Sequence, residues 1–209
     1  MRIGIFLGDT GGDDPIGGLE AALREARAGG FATAWVPQLF SVDAITALAV
    51  AARAVEGIRV GTAVVPAHPR HPVVMAQQAL TAQVATNGRF NLGIGVSHQV
   101  VIESMLGLSF ARPAAYMREY LSVLLPLLHE GHVSFTGDVF RVNTTVAVPG
   151  GTACPVLVAA LAPRMLQVAG ALADGTITWM TGPATIESHI VPSIRKAAAA
   201  AGRPDPTVV

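Results

Sequence analysis

Five polar side chains that could take part in acid–base or anion-binding chemistry follow predicted strands of this chain. They are Asp9, Gln38, His68, His98 and Arg164. Histidine titrates near neutrality, so we expect His98, in a Ser-His pair after a glycine-rich strand, to act as a general acid or base. A hydrogen bond within its own loop is the alternative role. Arg164 lies at the start of a predicted helix, where free backbone amides and a guanidinium favour an anion.

Other chemistries receive less support from the same loops. His68 and His71 stand three apart and could share a metal, but no acidic or cysteine ligand is near, so pocket lining or helix capping is preferred. Ser97 and His98 have no acid partner that the sequence can place, which disfavours a hydrolase triad. Residues 93–98 do not form a dinucleotide fingerprint, because His98 stands where the third glycine belongs.

Six short apolar runs must position these side chains, and most of them lead into a helical pattern. Strands that alternate with helices predict a parallel sheet, whose loops at the carboxyl ends share one rim. The first four runs begin roughly 25 to 30 residues apart, which favours a barrel or a doubly wound sheet. The runs are residues 2–7, 33–36, 58–65, 89–96, 155–160 and 175–179.

Proline marks the predicted start of five helices. It is favoured at the first helical position because an N–H there would have no partner within the helix, so its absence costs nothing. A further helix, over residues 42–55, is expected to have Ser41 as its cap and to stop before Gly57. Pro126 is expected to kink the helix over residues 113–130. The five prolines are Pro15, Pro72, Pro113, Pro163 and Pro183.

A long interval separates the fourth and fifth runs. Alternating residues on both sides of Gly137 predict a hairpin over residues 131–150, added to a single domain that covers residues 1–209. Residues 207–209 look like the start of a seventh strand. A closed eight-unit barrel needs at least about 200 residues without such a hairpin. We therefore expect a barrel truncated after about six and a half βα units, or one completed by a partner.

Composition excludes several classes of function. The 209 residues include 14 basic and 14 acidic side chains without a basic cluster, so we expect no nucleic-acid partner. Lys196 is the only lysine and lies in a predicted helix, which disfavours a Schiff base and a Walker phosphate loop. The single Cys154 excludes an intrachain disulfide. No apolar run reaches the roughly 20 residues of a membrane helix or resembles a signal peptide, so we expect a cytoplasmic protein.

Several stretches match, in order and spacing, a pattern that extends over nearly the whole chain. They are residues 34–38, 61–66 with 70–72, 88–98, 133–137, 155–160 and 173–179. Together they resemble the luciferase-like monooxygenase superfamily, and within it the coenzyme F420-dependent oxidoreductases. The long interval before the fifth run also fits, because this family has an insertion there.

The resemblance implies a (β/α)8 TIM barrel, usually dimeric, with a flavin or deazaflavin at the carboxyl ends of its strands. It implies a cis peptide between Ala63 and Val64, and a cofactor phosphate at residues 160–164. His98 stands where relatives have a catalytic acid. Gln38 stands where some relatives have a histidine, and its amide cannot relay a proton. The resemblance assigns cofactor binding to Gln38, Thr62, Ala63, Val64, His68, Gly95, Ser97, Ala160, Leu161, Ala162 and Arg164.

The implied activity is that of an F420-dependent oxidoreductase, which transfers a hydride between a deazaflavin and a small organic substrate. A homodimer without a metal or a membrane partner is expected. The alternative enzyme is an FMN-dependent monooxygenase, since a flavin has nitrogen where a deazaflavin has carbon and activates oxygen more readily. The alternative of another class is a non-catalytic or truncated member of the fold that stabilises a partner.

Overall fold

Short strands alternate with helices along most of the chain. The structure is a computed structural model that describes residues 3–8, 12–38 and 40–209. The strands are β1 (Gly4–Phe6), β2 (Thr33–Val36), β3 (Arg59–Thr62), β4 (Val65–Pro66), β5 (Phe90–Gly95), β6 (His132–Thr136), β7 (Arg141–Thr145), β8 (Val156–Ala159), β9 (Gly175–Ile177) and β10 (Thr207–Val208). The α-helices are α1 (Pro15–Ala28), α2 (Ala44–Ala51), α3 (Pro72–Ala85), α4 (Pro113–His129), α5 (Pro163–Leu172), α6 (Pro183–Thr185) and α7 (Val191–Ala200). Two π-helical segments, Val100–Met105 and Ile186–Ile190, precede α4 and α7.

Eight of these strands form one parallel sheet. Its order is β1-β2-β3-β5-β8-β9-β10, and β4 pairs with β5 beyond the end of β3. The rings of Phe6, which ends β1, and Trp179, which follows β9, have centroids 5.4 Å apart. The sheet therefore curls until strands near its two ends approach each other, although β1 and β10 do not pair within the described residues. This open, curled sheet confirms the predicted α/β barrel type and places the carboxyl ends of its strands on one rim.

Alternation along the strands sorts their side chains onto two faces of the sheet. Val60 and Phe90 are fully buried on the outer face, in the large apolar core beneath the helices. The inner face carries a much smaller cluster, in which Trp35 packs with Leu157 and Ile177. One apolar layer therefore packs the helices against the outer face of the sheet. A second apolar layer, built around the indole ring of Trp35, fills the inside of the curled sheet.

Proline begins five of the helices, as the sequence predicts, at the first turn of α1, α3, α4, α5 and α6. Helix α4 continues through Pro126 to His129. The predicted seventh strand is also present, because β10 pairs in parallel with β9. None of the helices in the described part of the chain is long and apolar enough to cross a membrane.

The boundaries of α2 correct the prediction. Asp43, not Ser41, caps this helix, since its carboxylate accepts the N–H of Thr46 at 2.9 Å. The helix ends at Ala51, earlier than predicted. The guanidinium of Arg89 donates to three carbonyl oxygens in the segment that follows, which holds the chain in a turn there.

Two other predicted elements are divided. The run over residues 58–65 forms β3 and β4, which are separated by Ala63 and Val64. The helix expected from Pro183 onward consists of α6, a π-helical segment and α7. Pro192, in the first turn of α7, has no N–H to donate, which accounts for the change of helical pattern immediately before it.

Strands β6 and β7 pair antiparallel with each other and form a hairpin outside the parallel sheet. The carboxylate of Glu119 on α4 binds the tip of this hairpin. It accepts the backbone N–H groups of Asp138, Val139 and Phe140 at 2.9, 2.8 and 3.1 Å. The hairpin is thus attached to α4 through its turn.

Candidate functional site

The described members of the predicted site lie at the carboxyl ends of neighbouring strands. Gln38 follows β2, His68 follows β4, His98 follows β5 and Ala160 follows β8. Parallel strands direct these ends toward the same rim, so the loops can form one pocket. Asp9, which the sequence also places on this rim, lies outside the described residues.

A β-bulge forms part of the inner wall beneath the rim. Between the pairs Gly61↔Asn91 and Val65↔Ile94, the β3–β4 side advances four residues and β5 only three. The extra residue interrupts the hydrogen-bond ladder next to Gly93. The hydroxyl of Thr62 compensates, because it accepts the Gly93 N–H at 2.9 Å and donates to the Gly93 carbonyl at 2.7 Å. Thr62 is fully buried, and its hydroxyl therefore supports the wall from within the sheet.

The bulge carries the Ala63–Val64 peptide bond, which is cis, as the resemblance implied. Val64 and Ala159 flank Gly95 so closely that a Cβ atom on this glycine would lie 2.8 Å from Val64 Cγ2 and 3.2 Å from Ala159 Cβ. Ala63 and Val64 also pack against the inner cluster around Trp35. Ala63, Val64 and Gly95 thus form a small apolar surface on the inner face, and such a surface suits a flat aromatic ring.

Gln38 has a structural contact that the sequence did not reveal. Its side-chain oxygen accepts the N–H of Ala44, the first residue of α2, at 3.1 Å, and an N–H of Arg70 at 3.2 Å. Arg70 also forms an ion pair with Asp43. Burial raises the pKa of Asp43, but hydrogen bonds from Thr46 and the charge of Arg70 outweigh it and lower this pKa below its usual value. Gln38 thus helps to fix the start of α2 beside the rim.

His68 lies in an aromatic stack. Its ring is nearly parallel to that of Tyr116, with centroids 4.1 Å apart, and Phe110 packs at 5.6 Å. Both ring nitrogens are shielded from solvent and have no hydrogen-bond partner of standard geometry within the described residues. Burial lowers the pKa of His68, and the nearby backbone of Val96 offsets part of this effect. His68 is therefore suited to a neutral wall and poorly placed to relay a proton.

His98 has a different environment. It is exposed, and its backbone carbonyl accepts the N–H groups of Val101 and Ile102 at the beginning of the π-helical segment. The preceding Ser97 has a left-handed backbone with φ of 63°, which turns the chain sharply at the end of β5. His98 thus stands at the rim with access to solvent.

The loop after β8 leads into a helix start that has no side-chain cap. Ala162 precedes Pro163, the first residue of α5, and Arg164 is exposed in the first turn. A ring nitrogen of His189 lies 3.0 Å from the carbonyl oxygen of Leu161. No sequence pattern pointed to His189, because the contact joins residues 28 positions apart. Pro163 has no N–H, and the N–H of Met165 donates to the carbonyl oxygen of Ala162 at 3.0 Å. The backbone N–H of Arg164 and its guanidinium are therefore the groups in this first turn that suit a phosphate group.

The second histidine of the His68 and His71 pair caps a helix. The Nδ1 atom of His71 accepts the N–H of Val73 at 3.3 Å at the start of α3. Within the described residues, no three histidine, cysteine, aspartate or glutamate side chains are close enough together to hold a metal ion.

The chain matches the family model described as luciferase-like monooxygenase over residues 1–209. It is 29% identical to Rv3520c of Mycobacterium tuberculosis, provisionally named a coenzyme F420-dependent oxidoreductase, over 88% of this chain and 56% of that protein. The structure of the coenzyme F420-dependent tetrahydromethanopterin reductase from Methanopyrus kandleri superposes with a TM-score of 0.85 and 25% identity, over 99% of this chain and 64% of that one. The monooxygenase RslO1 from Streptomyces bottropensis has the same fold, with a TM-score of 0.82 and 23% identity, over 100% of this chain and 70% of that one.

The chain thus spans 56 to 70% of the length of these three proteins. The family match includes every strand that contributes to the rim described above. On the strength of this match, the chain belongs to the luciferase-like monooxygenase family.

Proposed function

We propose that the protein is an F420-dependent oxidoreductase that transfers a hydride between a deazaflavin and a small organic substrate. The observation that carries the proposal is the small apolar surface formed by Ala63, Val64 and Gly95, which lies beneath the rim that carries the exposed His98 and the uncapped start of α5. The relatives named for coenzyme F420 support a deazaflavin as the ring. This small apolar surface and the start of α5 together fit a flat ring with a phosphorylated tail.

The residues of the chain have distinct roles in this proposal. A bound deazaflavin supplies the hydride chemistry. Ala63, Val64 and Gly95 pack against one face of the ring and exclude water from it. The amides after β8 bind the phosphate together with Arg164. His98 holds a proton on its imidazole and delivers it to the substrate during reduction, or accepts it during oxidation.

Binding measurements test this proposal directly. Purified protein is titrated with F420, with FMN and with the phosphate-free deazaflavin 8-hydroxy-5-deazariboflavin, and quenching of ligand fluorescence is followed. We expect saturable binding of F420, and Arg164→Ala should weaken it about tenfold while leaving the phosphate-free ligand unaffected. Arg195→Ala, which removes an arginine from α7, is the control variant.

The other outcomes select the alternatives. Saturable binding of FMN alone would replace the proposal with an FMN-dependent monooxygenase. Absence of binding by all three ligands would favour a non-catalytic member of the family. A homodimer in the cytoplasm stays a prediction, and light scattering of the purified protein tests its subunit number.

A further inference from the structure

His189 is a polar side chain that the proposed function does not use. It lies in the π-helical segment Ile186–Ile190, and its Nε2 atom is 3.0 Å from the carbonyl oxygen of Leu161, in the loop after β8. A carbonyl oxygen can only accept a hydrogen bond, so this nitrogen carries a hydrogen and donates it. The contact therefore joins a segment that follows β9 to the loop that precedes α5.

Close packing between α5 and α7 holds both sides of this contact in place. Ile190, which follows His189, and Ile194 on α7 are fully buried in the main core. Gly170 on α5 lets the two backbones approach, because a Cβ atom there would lie 2.4 Å from the carbonyl oxygen of Ile194. The helix that follows His189 is thus fixed against the helix whose first turn carries Arg164.

The hydrogen bond from His189 determines how the peptide between Leu161 and Ala162 is oriented. This peptide is trans, so its N–H points away from its C=O. Because His189 binds the Leu161 oxygen, the N–H of Ala162 is directed to the opposite side, and it has no hydrogen-bond partner within the described residues. The N–H of Arg164 is likewise without a partner in the part of the chain that the structure describes. Two free N–H donors and an exposed guanidinium thus stand within three consecutive residues.

We infer that His189 is a positioning residue, which orients the Leu161–Ala162 peptide so that the N–H of Ala162, and not the oxygen of Leu161, faces the cofactor phosphate. This inference rests on the proposed function, which places the phosphate at Arg164. Without the hydrogen bond the peptide is free to turn its oxygen toward the anion, and the negative end of the carbonyl dipole then opposes binding. His189 acts through this peptide and not through a contact of its own with the phosphate.

Three substitutions separate this role from a purely structural one. His189→Ala removes the donor, whereas His189→Gln retains an N–H donor at a similar reach. Ser188→Ala is the matched control, because it removes a hydrogen bond of the same segment, from Ser188 Oγ to the Ala184 carbonyl at 2.7 Å, that does not involve Leu161. Fluorescence titration of each variant gives the Kd of F420 and the Kd of the phosphate-free deazaflavin.

We expect His189→Ala to weaken the binding of F420 about fivefold and to leave the phosphate-free deazaflavin unchanged. His189→Gln and Ser188→Ala should bind both ligands like the unmodified protein. An unchanged Kd of F420 in His189→Ala would overturn the inference. An equal loss for both deazaflavins, or the same loss of F420 binding in Ser188→Ala, would also overturn it, because either result indicates a general disturbance of the segment.

Inorganic phosphate provides a test that does not depend on the deazaflavin. The amide signals of Ala162 and Arg164 are followed by proton–nitrogen NMR while phosphate is added to the unmodified protein and to His189→Ala. We expect both signals to shift in the unmodified protein, and the shift at Ala162 to be about threefold smaller in the variant. A shift at Ala162 that depends on His189, in a protein that does not bind F420, would contradict the proposed cofactor and retain the role of His189. Equal shifts in the two proteins, or no shift at Ala162, would overturn the inference.

Discussion

A single hydroxyl group holds the interrupted part of the inner wall together. Thr62 provides both a donor and an acceptor for Gly93, where the bulge removes the regular ladder. Its position within a predicted strand could be read from the sequence, and its assignment to cofactor binding stays a prediction. Its bond to Gly93 could not be read there, because it depends on the register between two strands 31 residues apart.

Thr62→Val tests this role, because valine has nearly the same shape as threonine but leaves the Gly93 N–H and carbonyl without partners. We expect a loss of about 2–4 kcal/mol in the free energy of unfolding, measured by urea titration. Thr62→Ser keeps the hydroxyl and serves as the control. A valine variant as stable as the serine variant would show that water or a shifted backbone satisfies Gly93.

His68 should make stability depend on pH. Burial holds its pKa below the ordinary value of 6.5, so the unfolded chain binds the proton first as the pH falls. The contribution of His68 to stability is therefore complete above that value and declines as the pH falls from it toward the lower pKa of the folded state. His68→Phe, which keeps an aromatic ring in the stack, should reduce this decline.

Urea unfolding at about pH 7.5 and about pH 5.5 measures the effect. His129→Gln, at the exposed end of α4, controls for the loss of a histidine in general. If the two variants lose the same stability between these pH values, His68 is not the group responsible.

His98 should affect turnover more than cofactor binding. His98→Gln removes the proton donor while keeping a polar side chain, and we expect kcat to fall about a hundredfold with the Kd of F420 unchanged. His132→Gln, on the exposed hairpin, is the matched control. An unchanged kcat would leave His98 with the alternative role, a hydrogen bond in its own loop.

At the scale of elements, local rules located the helices better than they located their caps. Proline at the first turn was sufficient to place five helix starts, because its effect is confined to its own backbone. For α2 both Ser41 and Asp43 are acceptable caps by residue type. The choice of Asp43 coincides with the contacts of Arg70 and Gln38, which are distant in sequence from one another. These contacts of Arg70 form only when the sheet brings the distant segments together, so the sequence alone does not decide between the two caps.

The hairpin provides a prediction at this scale. Burial acts to raise the pKa of Glu119, but the three backbone N–H donors at the hairpin tip outweigh burial and lower this pKa below its usual value. Glu119→Gln replaces charge-assisted hydrogen bonds with neutral ones, which are weaker. We expect amide exchange of Asp138, Val139 and Phe140 to accelerate about tenfold, as a local opening of the hairpin.

Hydrogen exchange resolved by residue measures this opening, and the amides of β5 provide an internal control because that strand is buried along its whole length. Acceleration of both regions together would indicate global destabilisation. An unchanged hairpin would show that pairing between β6 and β7 alone keeps the tip closed.

For the whole molecule, the alternation of strands and helices predicts a parallel sheet, but it does not give the extent of the curl. Gly61 shows why. A Cβ atom at this position would lie 2.5 Å from the indole ring of Trp35, so the inner face depends on a small residue opposite a large one. This complementarity between neighbouring strands becomes visible only when their register is known. The contact between Phe6 and Trp179 likewise depends on the curvature of the sheet.

The two tryptophans of the chain offer a final prediction, because one lies inside the curled sheet and the other at its rim. Trp35 is 8% exposed and fills the inner face, whereas Trp179 is 60% exposed. Trp35→Ala should leave a cavity between the walls of the curl and lower the free energy of unfolding by about 3–5 kcal/mol. Trp179→Ala should change it by less than about 1 kcal/mol, since its ring is largely in solvent. Urea titration of both variants measures the free energy of unfolding. Equal losses of stability would mean that Trp179 at the rim is packed as tightly as Trp35 in the interior.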